Sequence, residues 1–250
     1  YEIVSRDWSS DVCSSDLDAD GLLFPGNQPP DYIGGRIQTV DLKTGEVKSL
    51  YTEFEGVGLR GPNDIVFDKQ GGFYFTDLGK GRPESVDRGA IYYGKPDGSP
   101  LVKVVGPLDH PNGISLSPDD KTLYVAETIT GRVWEWTLES PGVVSQAGAM
   151  FAAPGGGRLT VGMPGYQLLD SMTVDSEGNL CLATLITGCV TVVSPKGEIL
   201  RQVAPPKHDP LVTNVCFGGA DLKTAYVTVS ACGELWSCDW PVPGHKLANY

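Results

Sequence analysis

The sequence lacks any run of apolar residues that approaches the roughly 20 needed to cross a bilayer. It also lacks a cluster of basic side chains, and its 19 Lys and Arg are outnumbered by 31 Asp and Glu, giving a formal net charge of −12. Because nucleic-acid binding depends on clustered Lys and Arg that neutralise phosphates, this composition disfavours a nucleic-acid partner. We therefore expect a soluble globular protein that binds neither nucleic acid nor a membrane.

A C-x-x-C pair is absent among the six cysteines, so a zinc site is not expected. We interpret these residues as buried thiols that pack as small hydrophobic side chains. Unpaired thiols are typical of a reducing compartment, and we expect a cytoplasmic location.

Four segments of the chain repeat one pattern, and no segment with the period of a helix competes with them. Each opens on Asn or Asp, continues as an alternating strand, turns tightly and ends on a second apolar strand. They are "NDIVFDKQGGFYFTD" from Asn63, "NGISLSPDDKTLYVAE" from Asn112, "DSMTVDSEGNLCLAT" from Asp170 and "NVCFGGADLKTAYVT" from Asn214. The pattern predicts a β-hairpin in each segment.

A second half-unit follows each segment, and a fifth copy precedes the first at Gly35. Each half-unit begins with Gly, alternates, turns and alternates again, as in "GCVTVVSPKGEILRQV" from Gly188. Four short strands in about 40–50 residues are typical of a β-propeller blade. We therefore predict an all-β protein, an incomplete propeller of about four and a half blades. The alternative is a β-sandwich with accidental internal similarity.

The opening residues of the repeats are expected to meet at one end of the central channel, because the first strand of each propeller blade lines it. These residues are Asn63, Asp64, Asn112, Asp170 and Asn214. Amide and carboxylate oxygens that converge from several blades suit Ca²⁺ or Mg²⁺. The alternative is that each side chain only forms hydrogen bonds with the backbone of the turn where a strand begins. Arg60, Tyr166 and Gln167 lie just before these positions, and Arg60 is either a substrate contact or a solvated loop charge.

Four motifs resemble the gluconolactonase family, which includes senescence marker protein (regucalcin) and the luciferin-regenerating enzymes. They are "RGPNDIVFD", "HPNGISLSPDDKTLYVAET", "LDSMTVDSEGNLCLAT" and "TNVCFGGADLKTAYVT", and they occur in the family's order. The resemblance covers the chain from about Asp18 to its C-terminus. It implies a six-bladed propeller that holds one divalent cation and hydrolyses sugar lactones or related lactones.

The resemblance also implies roles for individual residues. Asn112, in the "PNG" motif, and Asp170, followed here by Ser171 where the family has Gly, ligate the metal. Asn63 lies beside the metal and the substrate and is counted among the metal ligands. Asp170 is also the general base, and Arg60, displaced by one residue from the family's pattern, contacts the substrate. The ion is Ca²⁺, Mg²⁺, Mn²⁺ or Zn²⁺, and we expect Ca²⁺.

Residues 1–17, "YEIVSRDWSSDVCSSDL", have the period of neither a strand nor a helix and lack the features of a secretory signal. They resemble the translation of a sequencing adapter, so we expect a non-native segment over 1–17 and one propeller domain over 18–250. A genuine disordered tail is the alternative.

The propeller sequence begins in the middle of a blade, because "DADGLLF" from Asp18 matches the core of a hairpin in a later repeat. One blade and the start of the next are therefore expected to be missing. The resemblance places a fourth metal ligand, a Glu, in that first blade, and Glu2 does not lie in such a context. We accordingly expect weak cation binding and negligible activity from this chain.

The function expected for the intact protein is divalent-metal-dependent hydrolysis of a small-molecule lactone. The metal polarises the lactone carbonyl and activates water, with Asp170 as the base. One alternative is a non-enzymatic propeller that binds Ca²⁺ or a partner at the same place, since a fold alone does not determine function. Another keeps the enzyme but changes its substrate to a phosphotriester or an aryl lactone.

Overall fold

The computed structural model describes residues 11–14, 34–41, 43–82, 84–146 and 153–248. These residues form five antiparallel sheets and two small hairpins, and their only helix is a single 3₁₀ turn, Pro154–Gly156. No helix in this part of the chain is long and apolar enough to cross a membrane. The all-β prediction is confirmed.

The sheets follow one another along the chain. The first contains β1 (Asp11–Ser14), β2 (Ile37–Val40) and β3 (Val47–Tyr51), and the second contains β6 (Pro62–Phe67), β7 (Phe73–Asp77), β10 (Gly89–Gly94) and β11 (Val102–Leu108). The third contains β12 (Pro111–Leu116), β13 (Thr122–Glu127), β14 (Arg132–Ser140), β15 (Val143–Val144) and β16 (Arg158–Gly162). The fourth contains β17 (Leu168–Val174), β18 (Leu180–Leu185), β19 (Cys189–Val193) and β20 (Ile199–Val203), and the fifth contains β21 (Val212–Gly218), β22 (Thr224–Val229) and β23 (Glu234–Asp239). The two hairpins are β4 (Glu53–Phe54) with β5 (Val57–Gly58), and β8 (Gly81–Arg82) with β9 (Ser85–Val86).

The predicted hairpins form where the Gly-containing turns were placed. Gly71, between β6 and β7, and Gly178, between β17 and β18, both have φ of 82°, a conformation that glycine adopts without steric cost. Asp68 and Asp175, at the ends of the preceding strands, accept hydrogen bonds from backbone N–H groups inside these turns. Local turn chemistry thus fixes the register of the first two strands in the second and fourth sheets.

The sheets are arranged around a common channel. Strands β6, β12, β17 and β21 contact one another in that order, as expected for the innermost strands of neighbouring propeller blades. Apolar cores fill the spaces between sheets, for example where Tyr74 of the second sheet meets Trp136 of the third, and where Val190 of the fourth meets Val227 of the fifth. The predicted β-propeller is confirmed, and the sheets form about four blades where the sequence predicts about four and a half.

The last repeat differs from its prediction, because the sequence pattern indicates a fourth strand after β23 that the described residues do not form. The segment after Asp239 instead returns to the fourth sheet, where the Pro243 carbonyl accepts from the Ser176 N–H and the His245 N–H donates to Val174. Pro241 and Pro243 have no N–H to donate to a ladder, so this segment is unsuited to be a regular strand.

The segment over residues 1–17 also differs from its prediction, which gave it no strand. Residues 1–10 and 15–17, with Glu2 among them, lie outside the described part of the chain, but β1 pairs antiparallel with β2. An edge strand presents free N–H and C=O groups that bond backbone of almost any sequence. The pairing therefore requires no periodic pattern, and the adapter origin of the segment stays a prediction.

The cysteines only partly follow the prediction of buried thiols. Cys181 and Cys189 are buried, but Cys216 and Cys232 are exposed. Cys216 lies on the face of β21 opposite to the core shared with the fourth sheet, because side chains alternate along a strand.

Candidate metal and substrate site

Three of the innermost strands contain a β-bulge where the sequence predicts site residues. The regular register is interrupted between Pro62 and Ile65 in β6, between Pro111 and Ile114 in β12, and between Leu169 and Met172 in β17. In each strand two residues lie opposite one residue of the partner: 63–64, 112–113 and 170–171. Since a bulge redirects side chains locally, the same irregularity acts on Asn63, Asn112 and Asp170.

Asn112 is fully buried, with 0 % exposure, and its two amide atoms differ in their surroundings. Its Nδ2 donates to Oγ1 of Thr128 over 3.1 Å, and its side chain also hydrogen-bonds to the Asp170 carboxylate. Its Oδ1 is buried and has no hydrogen-bond partner. Buried polar atoms are almost always satisfied in proteins, so this oxygen marks a position where a ligand is to be expected.

Asp170 is 5 % exposed and lies against Asn112. Its Oδ1 accepts the Ser171 N–H over 3.1 Å. Burial raises the pKa of Asp170 to about 7, while the hydrogen bond from Asn112 acts in the opposite direction. A cation placed beside this carboxyl would favour its ionised form.

Asp64 lies beside Asp170 and connects three sheets. Its Oδ1 accepts the N–H of Ile65 over 2.9 Å, and its Oδ2 accepts the N–H of Ile114 in the third sheet over 3.1 Å. A further bond comes from the Met172 N–H in the fourth sheet. Burial raises the pKa of Asp64 to about 7, and the charge of Asp170 adds to this rise. The sequence places Asp64 among the converging residues without giving it a role, because its bonds to other sheets depend on the bulge.

Thr76 joins the second and third sheets directly behind these side chains. It is fully buried, and its hydroxyl donates to the Asn112 carbonyl over 2.7 Å and accepts the Asp64 N–H over 3.1 Å. Thr76 thereby fixes the position of the Asn112 backbone relative to that of Asp64. No sequence pattern indicates this contact, since Thr is common at strand positions.

The remaining predicted residues lie further from this group or serve other contacts. Asn63 is half-buried in the first position of its bulge. Arg60 is exposed and its guanidinium is paired with Asp87 over 2.9 Å. Asn214 is exposed, and its Oδ1 accepts the Val215 N–H over 2.7 Å. Asn214 therefore matches the alternative interpretation, in which an Asn only forms a hydrogen bond with the neighbouring backbone.

The chemistry of the donor set suits a hard cation. No three His, Cys, Asp or Glu side chains cluster as a metal site within the described ranges. The group found here instead combines a buried amide oxygen with the carboxyls of Asp64 and Asp170. Oxygen ligands of this kind, including Asn carbonyls, suit Ca²⁺, and zinc prefers nitrogen and sulfur.

We expect the ion-free protein to lose stability as the pH rises from 5 to 8. Burial raises the pKa of Asp64 and Asp170 from 3.8 to about 7, so their contribution to stability is complete below about pH 4 and is lost as the pH passes 7. One pKa unit is worth about 1.4 kcal/mol, so Asp170 alone accounts for up to about 4 kcal/mol. Denaturant unfolding at several pH values in chelator measures the effect.

The matched variant for this measurement is Asp170→Asn, which should flatten the decline with pH. The comparison is needed because burial lowers the pKa of His110 and of His245. These two groups therefore make the protein more stable as the pH rises toward about 6.5, which opposes the effect of the carboxyls. Parallel stability curves for the two proteins would contradict the assignment to Asp170.

Comparisons with known proteins agree with the fold and with the family resemblance. Residues 33–231 match the SMP-30/Gluconolactonase/LRE-like region. Lactonase drp35 of Staphylococcus haemolyticus is 36% identical over 148 residues, which are 59% of this chain and 42% of that protein. The chain thus spans less than half the length of that lactonase.

Solved structures show the same architecture. A gluconolactonase from Xanthomonas campestris superposes with a TM-score of 0.64 at 26% identity, over 84% of this chain and 65% of that one. The calcium-binding protein regucalcin from Agrobacterium tumefaciens shares the fold, with a TM-score of 0.66 at 20% identity over 85% of this chain and 74% of that one. With its repeats, its channel strands and the match over residues 33–231, the chain belongs to the SMP-30/gluconolactonase/LRE-like family.

Proposed function

We propose that the chain carries the ion-binding and catalytic residues of a divalent-metal-dependent lactone hydrolase. The observation that carries the proposal is the buried, unpartnered Oδ1 of Asn112, an amide whose Nδ2 end faces the carboxyl of Asp170. The lactonase and the gluconolactonase among its relatives support a lactone as the substrate.

Asn112 and Asp170 would hold the ion, with Asn63 next to them in the neighbouring bulge. We expect Ca²⁺, because the donors are oxygens and Ca²⁺ tolerates irregular coordination. When bound, the ion supplies Lewis acidity that polarises the lactone carbonyl. The raised pKa of Asp170 in the absence of an ion fits a carboxyl whose surroundings are incomplete without a positive charge.

Asp170 is the proposed general base. It takes a proton from water as the water oxygen forms a bond to the lactone carbonyl carbon. The ring C–O bond then breaks, and the proton passes to the ring oxygen, giving a hydroxy acid. Burial raises the pKa of Asp170 to about 7 in the ion-free protein, and a base whose pKa lies near neutral pH is well matched to this step.

Asn63 and Arg60 are the proposed substrate contacts. The Asn63 amide offers both a donor and an acceptor to substrate hydroxyl and carbonyl groups. The pairing of Arg60 with Asp87 places a partly exposed guanidinium beside β6, the strand that carries Asn63. A guanidinium binds oxygen atoms in a fixed geometry, so this position suits the orientation of a substrate.

The proposal is tested by measuring hydrolysis of glucono-1,5-lactone by the complete product of the gene and by the 250-residue chain. Each is assayed in chelator and then with Ca²⁺, Mg²⁺, Mn²⁺ or Zn²⁺ restored. We expect the complete product to lose activity in chelator and regain it with Ca²⁺, and the 250-residue chain to turn over far more slowly. Hydrolysis that is insensitive to chelator would contradict the role of the ion, and ion binding without hydrolysis would favour the non-enzymatic Ca²⁺-binding alternative.

A further inference from the structure

We propose that Thr128 is a positioning residue that fixes the amide of Asn112 with its oxygen directed away from protein donors. The inference deepens the proposed function and rests on it. Thr128 lies directly after β13 and is 2 % exposed. The sequence motifs give it no role.

Thr128 contacts both of the strands that carry the proposed ligands. Its hydroxyl accepts the Asn112 Nδ2 over 3.1 Å. Its carbonyl accepts the N–H of Leu169, the residue before Asp170, over 3.4 Å. Thr128 thus links the side chain of Asn112 to the backbone beside Asp170.

The Asp170 carboxylate selects which end of the Asn112 amide faces it, and the Thr128 hydroxyl holds that end in place. The Asp170 carboxylate only accepts hydrogen bonds, so it favours Nδ2 as its neighbour. The Thr128 hydroxyl, which can accept or donate, accepts from Nδ2 on the same side. An amide oxygen turned toward them would face the carboxylate without a donor, which is unfavourable. With Nδ2 held by two acceptors, Oδ1 remains available for a cation or a substrate donor.

Comparison with equivalent positions in other sheets shows which contacts of Thr128 belong to the fold and which are specific to Asn112. Pro62 pairs with Asp77 and Pro111 pairs with Glu127, so Thr128 corresponds to Leu78. Leu78 makes the same backbone bond, from its N–H to the Gly61 carbonyl, that Thr128 makes to the carbonyl of the residue before Pro111. The backbone bond therefore belongs to the fold and is compatible with Leu. Ser230 makes the same bond to the Leu211 carbonyl in the fifth sheet, but its hydroxyl hydrogen-bonds to that of Thr213, so among these three residues only Thr128 binds the amide of an Asn side chain.

The test compares Thr128→Val, which keeps the shape and removes the hydroxyl, with Thr128→Ser, which keeps the hydroxyl. Ca²⁺ affinity is measured by calorimetry on the 250-residue chain, and the exchange of the Asn112 side-chain amide protons is measured by NMR with ¹⁵N-labelled asparagine in chelator. We expect Thr128→Val to weaken Ca²⁺ binding by about 10- to 100-fold, as for residues that orient metal ligands, and to speed amide exchange. Thr128→Ser should restore both values.

Thr191→Val is the control, because Thr191 is a fully buried threonine in β19, away from Asn112. It should change neither measurement. If Thr128→Val does not fold, Thr128→Ala removes the hydroxyl without placing a second methyl group against Asn112.

Failure of the inference is distinct from failure of the proposed function. Unchanged amide exchange in Thr128→Val, or Ca²⁺ binding as tight as that of the unmodified chain, would overturn the role of Thr128. If the unmodified chain binds none of the four cations, the proposed function fails, and the amide exchange in the ion-free protein still decides whether Thr128 orients Asn112.

Discussion

In the complete product of the gene, Asp170→Asn is expected to lower kcat/KM for lactone hydrolysis by about 10³-fold or more and to raise the stability of the ion-free state at pH 8. The substitution removes the proposed base, whose contribution is typically about 10²- to 10⁴-fold, and one charged ligand of the ion. It also removes a buried carboxyl whose pKa is raised to about 7, and whose ionisation at pH 8 opposes folding. Opposite changes in activity and stability are characteristic of a residue retained for function.

Asp175→Asn is the matched control for this result. Asp175 is also fully buried and lies in the same sheet, but its carboxylate accepts the N–H groups of Glu177 and Asn179 and the Asn179 side-chain amide. Replacing it brings an amide N–H against these donors, which destabilises the turn. We expect lower stability and near-normal activity per folded molecule. Steady-state kinetics and denaturant unfolding at pH 8 in chelator distinguish the two variants, and an Asp170→Asn protein that is active or is destabilised like Asp175→Asn would contradict the site.

The repeat made much of this arrangement predictable from the sequence. The alignment of Asn63, Asn112 and Asp170 in successive repeats depends on strands and turns that are local in sequence, and the structure places all three at equivalent bulges. A periodic pattern indicates equivalent positions because each blade repeats the same geometry. Positions on the innermost strands could therefore be identified without knowledge of any contact between blades.

The contacts that link different blades were not predictable in the same way. Asp64 accepts N–H groups from the third and fourth sheets, and Thr76 reaches the Asn112 carbonyl. These bonds depend on a single extra residue in each inner strand, and a bulge leaves no clear mark in an alternating pattern. The pairing of Arg60 with Asp87 likewise joins residues on either side of two hairpins, β6–β7 and β8–β9. Sequence periodicity specifies the face of a strand but not the neighbour that the face meets.

Gly113→Ala is expected to be the most disruptive single-methyl change at the site. A Cβ at this position would lie 2.5 Å from the Asp170 carbonyl oxygen and 2.8 Å from the Met172 nitrogen. Both are backbone atoms and cannot rotate away, so β12 and β17 would have to separate. We expect a loss of about 3 kcal/mol or more in the free energy of unfolding, at the upper end of the cost of overpacking, together with loss of Ca²⁺ binding.

The reason for glycine at this position is the approach of the two strands and not the bulge itself. The second residues of the other two bulges, Asp64 and Ser171, both carry side chains, so the bulged backbone accepts a Cβ. Gly162→Ala is the control, because a Cβ there meets no atom within 4 Å, and it should leave unfolding and Ca²⁺ binding nearly unchanged. If Gly113→Ala unfolds at the same denaturant concentration as the unmodified chain, the close contact of β12 with β17 would not be what holds Asn112 against Asp170. If Gly113→Ala loses Ca²⁺ affinity in proportion to its loss of stability, the close contact between β12 and β17 is what positions Asn112 and Asp170 for the ion.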